Sequence, residues 1–315
     1  MNVIRLAVAL FLIQAGFHGY TASLPLALAQ ADVPDAQIGL IVGVAALVQM
    51  PAAIVGGRLV DAFGGIRLLL AGACAYLLAS GILLLPGVEA GGPALPFVAA
   101  RALQGVGIAA SLPAALSLVP RMLPKGRHGS GLAFVGAAHN LTLVLLPPIS
   151  IYVLDTYSFD AVSVVVIAFV VVGMALTWRL PIRPRVREAT AVVGAASRRF
   201  GITFRRAWAV PLAIVVTYVA HWGAVTAYLP VRASEAGADI GLYFAADGLA
   251  IFLMRLPTGW LTDRISTRTL VVTGATATAF AVGLLLLPLT TPLLVVSGLI
   301  GGAGGAIVMT PLLVE

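Results

Sequence analysis

Six ionisable side chains lie within long apolar stretches of this 315-residue chain, where a charge is costly and therefore marks a candidate functional group. They are His18, Arg101, His139, His221, Asp247 and Arg255. Asp247 is the one carboxylate in this set, so we interpret it as a group that takes up and releases a proton or pairs with a charged solute. Arg101 and His139 are its predicted partners. A fixed structural ion pair is the alternative.

Neutral polar and aromatic side chains accompany these groups. Gln14 lies one helical turn before His18, with Tyr20 close by, and His221 and Trp222 occupy the equivalent depth in a later apolar stretch. Together they predict a polar and aromatic floor for a small solute near the middle of a membrane. Weaker candidates of the same kind are Gln49, Gln104 and Asn140. At each position an ordinary interhelical hydrogen bond is the alternative.

The elements that position these groups must lie in lipid. Of the residues, 60% are hydrophobic and 10% are charged, and the mean hydropathy is +1.06. Soluble domains carry about 25% charged residues. Cys74 is the only cysteine, which excludes an internal disulfide and a cysteine-based metal site. The apolar N-terminus resembles a secretory signal, but its length and the stretches that follow favour a retained first helix.

Ten apolar stretches are long enough to cross a bilayer, since a helix needs about 20 such residues. The predicted spans are 4–28, 37–60, 66–86, 95–120, 129–153, 159–180, 208–230, 239–261, 269–289 and 292–314. The loops between them are alternately basic and acidic. By the positive-inside rule, the basic loops and the N-terminus are cytoplasmic.

The longest connection, residues 181–206, separates a first half with six spans (1–180) from a partial second half with four (207–315). Its many arginines predict a cytoplasmic linker that sets orientation. Binding to anionic lipid head groups is the alternative. Since the basic residues concentrate in loops at a membrane surface, the formal charge of +7 does not indicate a nucleic-acid partner.

A cluster of Asp and Arg occurs at matching points in the two halves, in "GGRLVDAFGGIRLLL" (56–70) and "TGWLTDRISTRTLVV" (258–272). The two aspartates are 202 residues apart (263 − 61). The first copy contains Gly57, Asp61, Gly64 and Arg67, and the second contains Gly259, Asp263, Arg264 and Arg268. "GVGIAASLP" (105–113) is echoed by "GAGGAIVMTP" (302–311). The second half therefore repeats the first with the same topology.

With these motifs the chain resembles the major facilitator superfamily, whose loop between helices 2 and 3 carries G-x3-D-R-x-G-x-R-R. The run "RALQGVGIA", Arg101 to Ala109, matches the R-x2-Q-G-x-G-x-A pattern of the family's fourth helix. Two positions depart from the loop pattern, Ala62 in place of Arg and Ser266 in place of Gly. The fifth span keeps Pro147 but lacks the glycines of the family's antiporter motif.

The resemblance implies an all-α integral membrane fold of two pseudo-repeated helical bundles. It also implies that the repeated loop motif pairs charges across the halves and gates the cytoplasmic side, with an interfacial anchor as the alternative. Arg255 lies two turns before Asp263, and bracing this gate is favoured over binding an anionic solute. By comparison with the family's twelve helices, the final two spans would lie beyond Glu315, so the chain is interpreted as ten of twelve.

The function that follows is secondary active transport of a small solute by alternating access. Proton coupling and export are favoured, and a uniporter or importer without proton coupling is the alternative. A transporter-like receptor or sensor is a further alternative, and no enzyme activity is expected. The protein is expected to act as a monomer in the bacterial plasma membrane, without a cofactor. Since no phosphate-binding loop for ATP occurs in the sequence, an ion gradient is favoured over nucleotide hydrolysis as the energy source.

Overall fold

The computed structural model describes residues 2–89, 91–124, 127–180, 209–262 and 264–312. Within these ranges the chain is all-helical, without β-strands. The helices are α1 (Asn2–His18), α2 (Ser23–Gln30), α3 (Asp35–Phe63), α4 (Gly65–Leu83), α5 (Ala94–Met122), α6 (His128–Thr156), α7 (Phe159–Trp178), α8 (Ala209–Glu235), α9 (Ile240–Thr262), α10 (Thr267–Leu284) and α11 (Thr291–Leu312). The predicted linker, 181–206, lies outside the described residues.

The first predicted span consists of two helices, α1 and α2, instead of one. The amides of Tyr20 and Thr21 bond three residues back, to Phe17 and His18, and so tighten the backbone between the two helices. Pro25 has no amide hydrogen to donate to Thr21 and so removes one helical hydrogen bond at the start of α2.

Two other spans end earlier than predicted. The predicted ends were 86 and 289, but α4 ends at Leu83 and α10 at Leu284. Pro86 and Pro288 follow at equivalent points of the repeat. Because a residue before proline disfavours helical dihedrals, both helices stop before the prolines are reached.

Eight of the predicted spans are long and apolar enough in the described residues to cross a membrane. The other two are α9 and α10. In α9 the apolar stretch found among the described residues is Ile240–Met254, and α10 carries several threonines. Both helices pack against α11, which qualifies by itself.

The two bundles use the same packing scheme. In the first, α5 packs on α3 and α4, and in the second α11 packs on α9 and α10. Glycine makes both crossings close. A Cβ at Gly105 would overlap the carbonyl oxygen of Ala45, and a Cβ at Gly302 would overlap that of Asp247. Asp247 therefore occupies in the second bundle the place that Ala45 has in the first.

The bundles meet near one end of the molecule. We call this the acidic end, because Asp and Glu lie in or beside the α2–α3, α6–α7 and α8–α9 loops there, and the opposite end the basic end. Helix α8 packs on α2 and α3, and α6 packs on α9. A Cβ at Gly39 would overlap the hydroxyl of Tyr228, and one at Gly248 would lie 2.8 Å from a Val144 methyl. These approaches all lie in the acidic halves of the helices.

Candidate functional site

Four helices of the first bundle meet at the side chain of Gln14, which is fully buried. Its carbonyl oxygen, Oε1, accepts hydrogen bonds from the hydroxyls of Tyr76 on α4 (2.8 Å) and Ser111 on α5 (3.1 Å). Its amide nitrogen, Nε2, lies 2.9 Å from Nδ1 of His139 on α6. An amide nitrogen only donates, so this bond requires the His139 tautomer with an unprotonated Nδ1. We call these four residues the Gln14 cluster.

Glycines explain how the Gln14 cluster forms. The ring of Tyr76 passes between α1 and α5. A Cβ at Gly16 would overlap that ring, and a Cβ at Gly107 would lie 2.5 Å from its Cε1. Gly107 belongs to the predicted fourth-helix motif, so one function of that motif is to let the tyrosine reach Gln14.

Arg101 is buried beside this cluster, with 4% of its surface exposed. Its Nη1 donates to Oε1 of Gln104 (2.7 Å), and its Nη2 donates to the carbonyl of Val42 (3.1 Å). The guanidinium also lies over the ring of Phe17, 5.1 Å from its centroid. Among the described residues, no carboxylate contacts it.

His18 joins Arg101 to the Gln14 cluster. Its ring lies 5.4 Å from that of His139 and 5.3 Å from that of Phe17, and it interacts electrostatically with Arg101. Three side chains here keep buried nitrogens without a hydrogen-bond partner, namely Nδ1 and Nε2 of His18, Nε of Arg101 and Nε2 of Gln104. Nδ2 of Asn140, the residue after His139 on α6, is also buried without a partner. The region is therefore rich in unused hydrogen-bond donors.

Asp247 lies in the second bundle with 2% of its surface exposed. Its Oδ2 is buried and has no hydrogen-bond partner. Beside it is a cavity of about 10 Å³, lined in part by Tyr218, Tyr243 and Thr278, which is close to the space that one water molecule requires. The carboxylate also interacts electrostatically with Tyr218 and Tyr243.

Among the described residues, the contacts of Arg101 do not include Asp247, so that predicted pair is not formed, and the pairing of Asp247 with His139 stays a prediction. Asp247 is in the second bundle, at the crossing of α9 with α11, whereas Arg101 and His139 belong to the donor-rich region of the first bundle. Each charge is turned toward its own bundle, so the two are held apart instead of neutralising each other.

The predicted floor is likewise divided. Nδ1 of His221 lies 2.9 Å from the carbonyl of Tyr218, within α8, and Trp222 packs edge-to-face on Phe244 of α9. Both side chains border the cavity beside Asp247, not the Gln14 cluster. Tyr20 points away from both groups, since its hydroxyl donates to Ser163 on α7 (3.0 Å).

The first copy of the loop motif joins α3 to α4 at the basic end. Gly64 is the only residue between the two helices and has a φ of +85°, which favours glycine. A Cβ at Gly56 would lie 2.8 Å from the carbonyl oxygen of Ala109, whereas one at Gly57 would meet nothing within 4 Å. The tightly packed glycine is therefore the one before the predicted position.

Among the residues that the structure describes, Asp61 and Arg67 do not form the predicted charge pairs. Both side chains are exposed, and Asp61 has no hydrogen bond or ion pair among the described residues. The close approaches described between the bundles lie at the acidic end, away from this motif. Arg264 and Arg268 of the second copy are also exposed. Asp263, Gly259 and the side chain of Arg255 lie outside what the structure describes.

Sequence reasoning missed Tyr76, Ser111, Tyr218, Tyr243 and Thr278. The 202-residue repeat contains a signal for part of this set. Gly16 corresponds to Tyr218 and Tyr76 corresponds to Thr278. In the first bundle the glycine is on α1 and the tyrosine on α4, whereas in the second the tyrosine is on α8 and the smaller residue, a threonine, is on α10. In the second bundle Tyr218 enters from α8, and a Cβ at Gly305 would overlap its hydroxyl.

A larger cavity, of about 720 Å³, lies between α8, α10 and α11. It is lined mainly by Ala, Val and Ile, with few polar groups. In the first bundle the equivalent faces of α1 and α4 are covered by α7. The position of this groove therefore matches a helix-packing face better than a solute site.

Comparisons with known proteins agree with this architecture. A sequence profile of the Major Facilitator Superfamily matches residues 6–314. A solved D-xylose–proton symporter has a TM-score of 0.69 at 17% identity, covering 97% of this chain and 80% of that chain. The xylose transporter XylE from E. coli, in a partially occluded inward-open conformation, has a TM-score of 0.71 at 15% identity, covering 99% and 86%. No curated protein sequence matches this chain.

Proposed function

The chain belongs to the major facilitator superfamily and is a multi-pass membrane transporter, and we propose that it moves a small solute by alternating access in a proton-coupled cycle. The observation that carries the proposal is Asp247, a buried carboxylate in a membrane helix. Its Oδ2 has no hydrogen-bond partner, and no cation among the described residues is paired with it.

A buried carboxylate without such partners is costly to ionise. A proton that binds Asp247 removes this cost, and its release restores it. The water-sized cavity beside the carboxylate offers a place for the water that carries the proton. The backbone of Asp247 also forms the crossing with α11 at Gly302, so a change in its charge acts directly on the packing of two helices.

Alternating access is supported by where the bundles touch. Their close approaches lie at the acidic end, between Gly39 and Tyr228 and between Val144 and Gly248. With the basic loops and the N-terminus in the cytoplasm, the acidic end faces outward, and this conformation is closed on the outside. In the proposed cycle, the halves 1–180 and 207–315 rock about their interface, connected by the 181–206 segment. Asp61 then pairs with basic residues of the second half when the cytoplasmic side closes.

The direction of transport is a separate part of the proposal. The sequence favoured export, whereas one solved structure with the same fold is titled a proton symporter. The proposal is therefore proton coupling, and the assay is built to read either direction.

The test uses the full chain in proteoliposomes that contain a pH-sensitive dye. Sugars, amino acids and short carboxylates are added on either side, with and without a pH gradient. We expect a transported solute to move protons with it in the wild type. Asp247→Asn, which resembles the protonated acid in shape, should lose gradient-driven accumulation but retain exchange of solute between equal pools. Asp160→Asn, at an exposed position on α7, is the matched control and should behave like wild type.

Gradient-driven accumulation in Asp247→Asn at the wild-type rate would refute the coupling role of this residue. Solute movement that never changes the internal pH, in either direction, would instead support a uniporter and refute proton coupling itself.

A further inference from the structure

We propose that the donor-rich region of the first bundle is a binding site for the carboxylate of a small organic anion. The site consists of Arg101, Gln104 and His18, with Phe17 against it. This inference rests on the proposed transport function, since it names the class of solute that the transporter takes.

The charge balance of this region calls for an anion. Arg101 is 4% exposed and stays ionised under ordinary conditions. Its contacts are an amide oxygen, a backbone carbonyl and an aromatic ring, all of which are neutral. A buried charge without a counter-ion is strongly unfavourable, and a ligand carboxylate supplies the missing negative charge.

The hydrogen-bonding groups of the region also lack acceptors. The Oε1 of Gln104 accepts a hydrogen bond from Arg101. Nε2 of Gln104 and Nε of Arg101 are both buried without a hydrogen-bond partner. Both ring nitrogens of His18 are likewise buried without a partner. Gln104 and His18 are 0% and 8% exposed. An ionised carboxylate only accepts hydrogen bonds, through two oxygens with about four lone-pair positions, which complements a set dominated by donors.

The second bundle has a glycine at the position equivalent to Arg101. Gly105 and Gly302 make the same close contact in the two bundles, with the carbonyls of Ala45 and Asp247. Counting back four residues from each gives Arg101 in α5 and Gly298 in α11. The second bundle therefore forms a close crossing of the same kind without an arginine at this position.

The class of anion follows from what surrounds the charge. There is one arginine in the region, which suits a single negative charge. The ring of Phe17 touches both Arg101 and His18, so an apolar part of the ligand has a surface to lie on. A monocarboxylate with an apolar body fits both features.

The test measures binding to the purified full chain in detergent, so it needs no proton gradient. The probes are benzoate, butyrate and lactate, each paired with its neutral amide. Calorimetry and thermal unfolding should show that at least one carboxylate binds and raises the Tm, and that its amide does not. Arg101→Gln should weaken this binding by about tenfold or more, because hydrogen bonds to charged groups are the stronger kind. Arg121→Gln, which removes an exposed charge from the same helix, should leave it unchanged.

A second variant keeps the proposal testable if Arg101→Gln does not fold. Gln104→Glu places a carboxylate where the amide oxygen already accepts from Arg101 at 2.7 Å. This internal counter-ion should abolish binding of the carboxylate probes without lowering the Tm of the ligand-free chain. Unchanged binding in Gln104→Glu would overturn the assignment.

The other possible results of the binding and transport assays also test the proposed carboxylate site. The proposal fails if none of the three carboxylates binds, if the amides bind equally well, or if inorganic phosphate alone binds in a Gln104→Glu-sensitive way. Proton-coupled transport of a neutral solute would refute this inference and leave the proposed function standing. Carboxylate binding without proton movement during transport would support this inference and refute the proposed proton coupling.

Discussion

The contact between Gly39 and Tyr228 should control whether the acidic end is open or closed. Gly39 lies near the start of α3 and Tyr228 near the end of α8, so the contact joins the two bundles. A Cβ at position 39 would overlap the tyrosine hydroxyl and would lie 2.8 Å from its Cζ. Gly39→Ala therefore opposes the closed conformation in particular, because the clash disappears when the bundles separate.

The size of the effect follows from the cost of overpacking. Inserting one methyl group into a well-packed contact costs about 1–3 kcal/mol, and such an energy changes a conformational equilibrium by about 5- to 150-fold. The tyrosine is 38% exposed, so its ring has room to yield, which favours the lower part of this range.

The assay reports opening through the reactivity of a single cysteine. In a Cys74→Ser background, Leu26→Cys places a thiol on α2 at a position that is 5% exposed and borders the acidic-end cavities. A membrane-impermeant maleimide should label it about 5-fold faster or more in Gly39→Ala. In a Tyr228→Ala background, Gly39→Ala should change the labelling rate little, because the clashing ring is absent.

Two results would refute this reasoning. One is an unchanged labelling rate in a Gly39→Ala protein that still folds and elutes as a single species. The other is an equal acceleration in the presence and absence of the Tyr228 ring, which would locate the effect elsewhere than in this contact.

Two neighbouring pairs of glycines give further predictions by thermal unfolding of the purified chain. Gly302→Ala should be destabilised by about 1–3 kcal/mol, because its Cβ overlaps the backbone carbonyl of Asp247. A Cβ at Gly301 meets only ordinary contacts at 3.5 Å or more. The stability of Gly301→Ala should therefore match or exceed that of the wild type, since alanine favours helix. Gly56→Ala should lower the Tm because its Cβ lies 2.8 Å from a backbone oxygen of α5, and Gly57→Ala should not. Equal Tm values within either pair would contradict the close packing described for that crossing.

Much of the fold could be predicted because a membrane restricts what a sequence can do. Every backbone polar group in lipid must bond internally, so long apolar stretches become helices, and the ten predicted spans correspond to helices of the structure. Where the prediction erred, local backbone chemistry was responsible. The first span breaks between His18 and Ser23, and α4 and α10 stop short of Pro86 and Pro288.

The candidate site was predictable in its members but not in its grouping. Arg101, Gln104, His18, His139 and Gln14 were recognised as polar groups in apolar surroundings, and the structure brings them together. The predicted pair of Asp247 and Arg101 is not formed in this structure, because opposite charges at similar depths look like a pair when the lateral positions of their helices are unknown.

By itself the sequence determined that the chain lies in a membrane, where its helices run, that its second half repeats the first, and which side chains carry charge into the lipid. These properties depend on residue type, on run length and on the 202-residue interval, all of which are local or linear. Only the tertiary structure decided that Tyr76 reaches Gln14, that Asp247 and Arg101 do not contact each other, and that the bundles close at the acidic end. Those outcomes depend on which helix faces touch, and a missing methyl group at Gly16, Gly107, Gly39 or Gly302 allows each contact only once the helices are side by side.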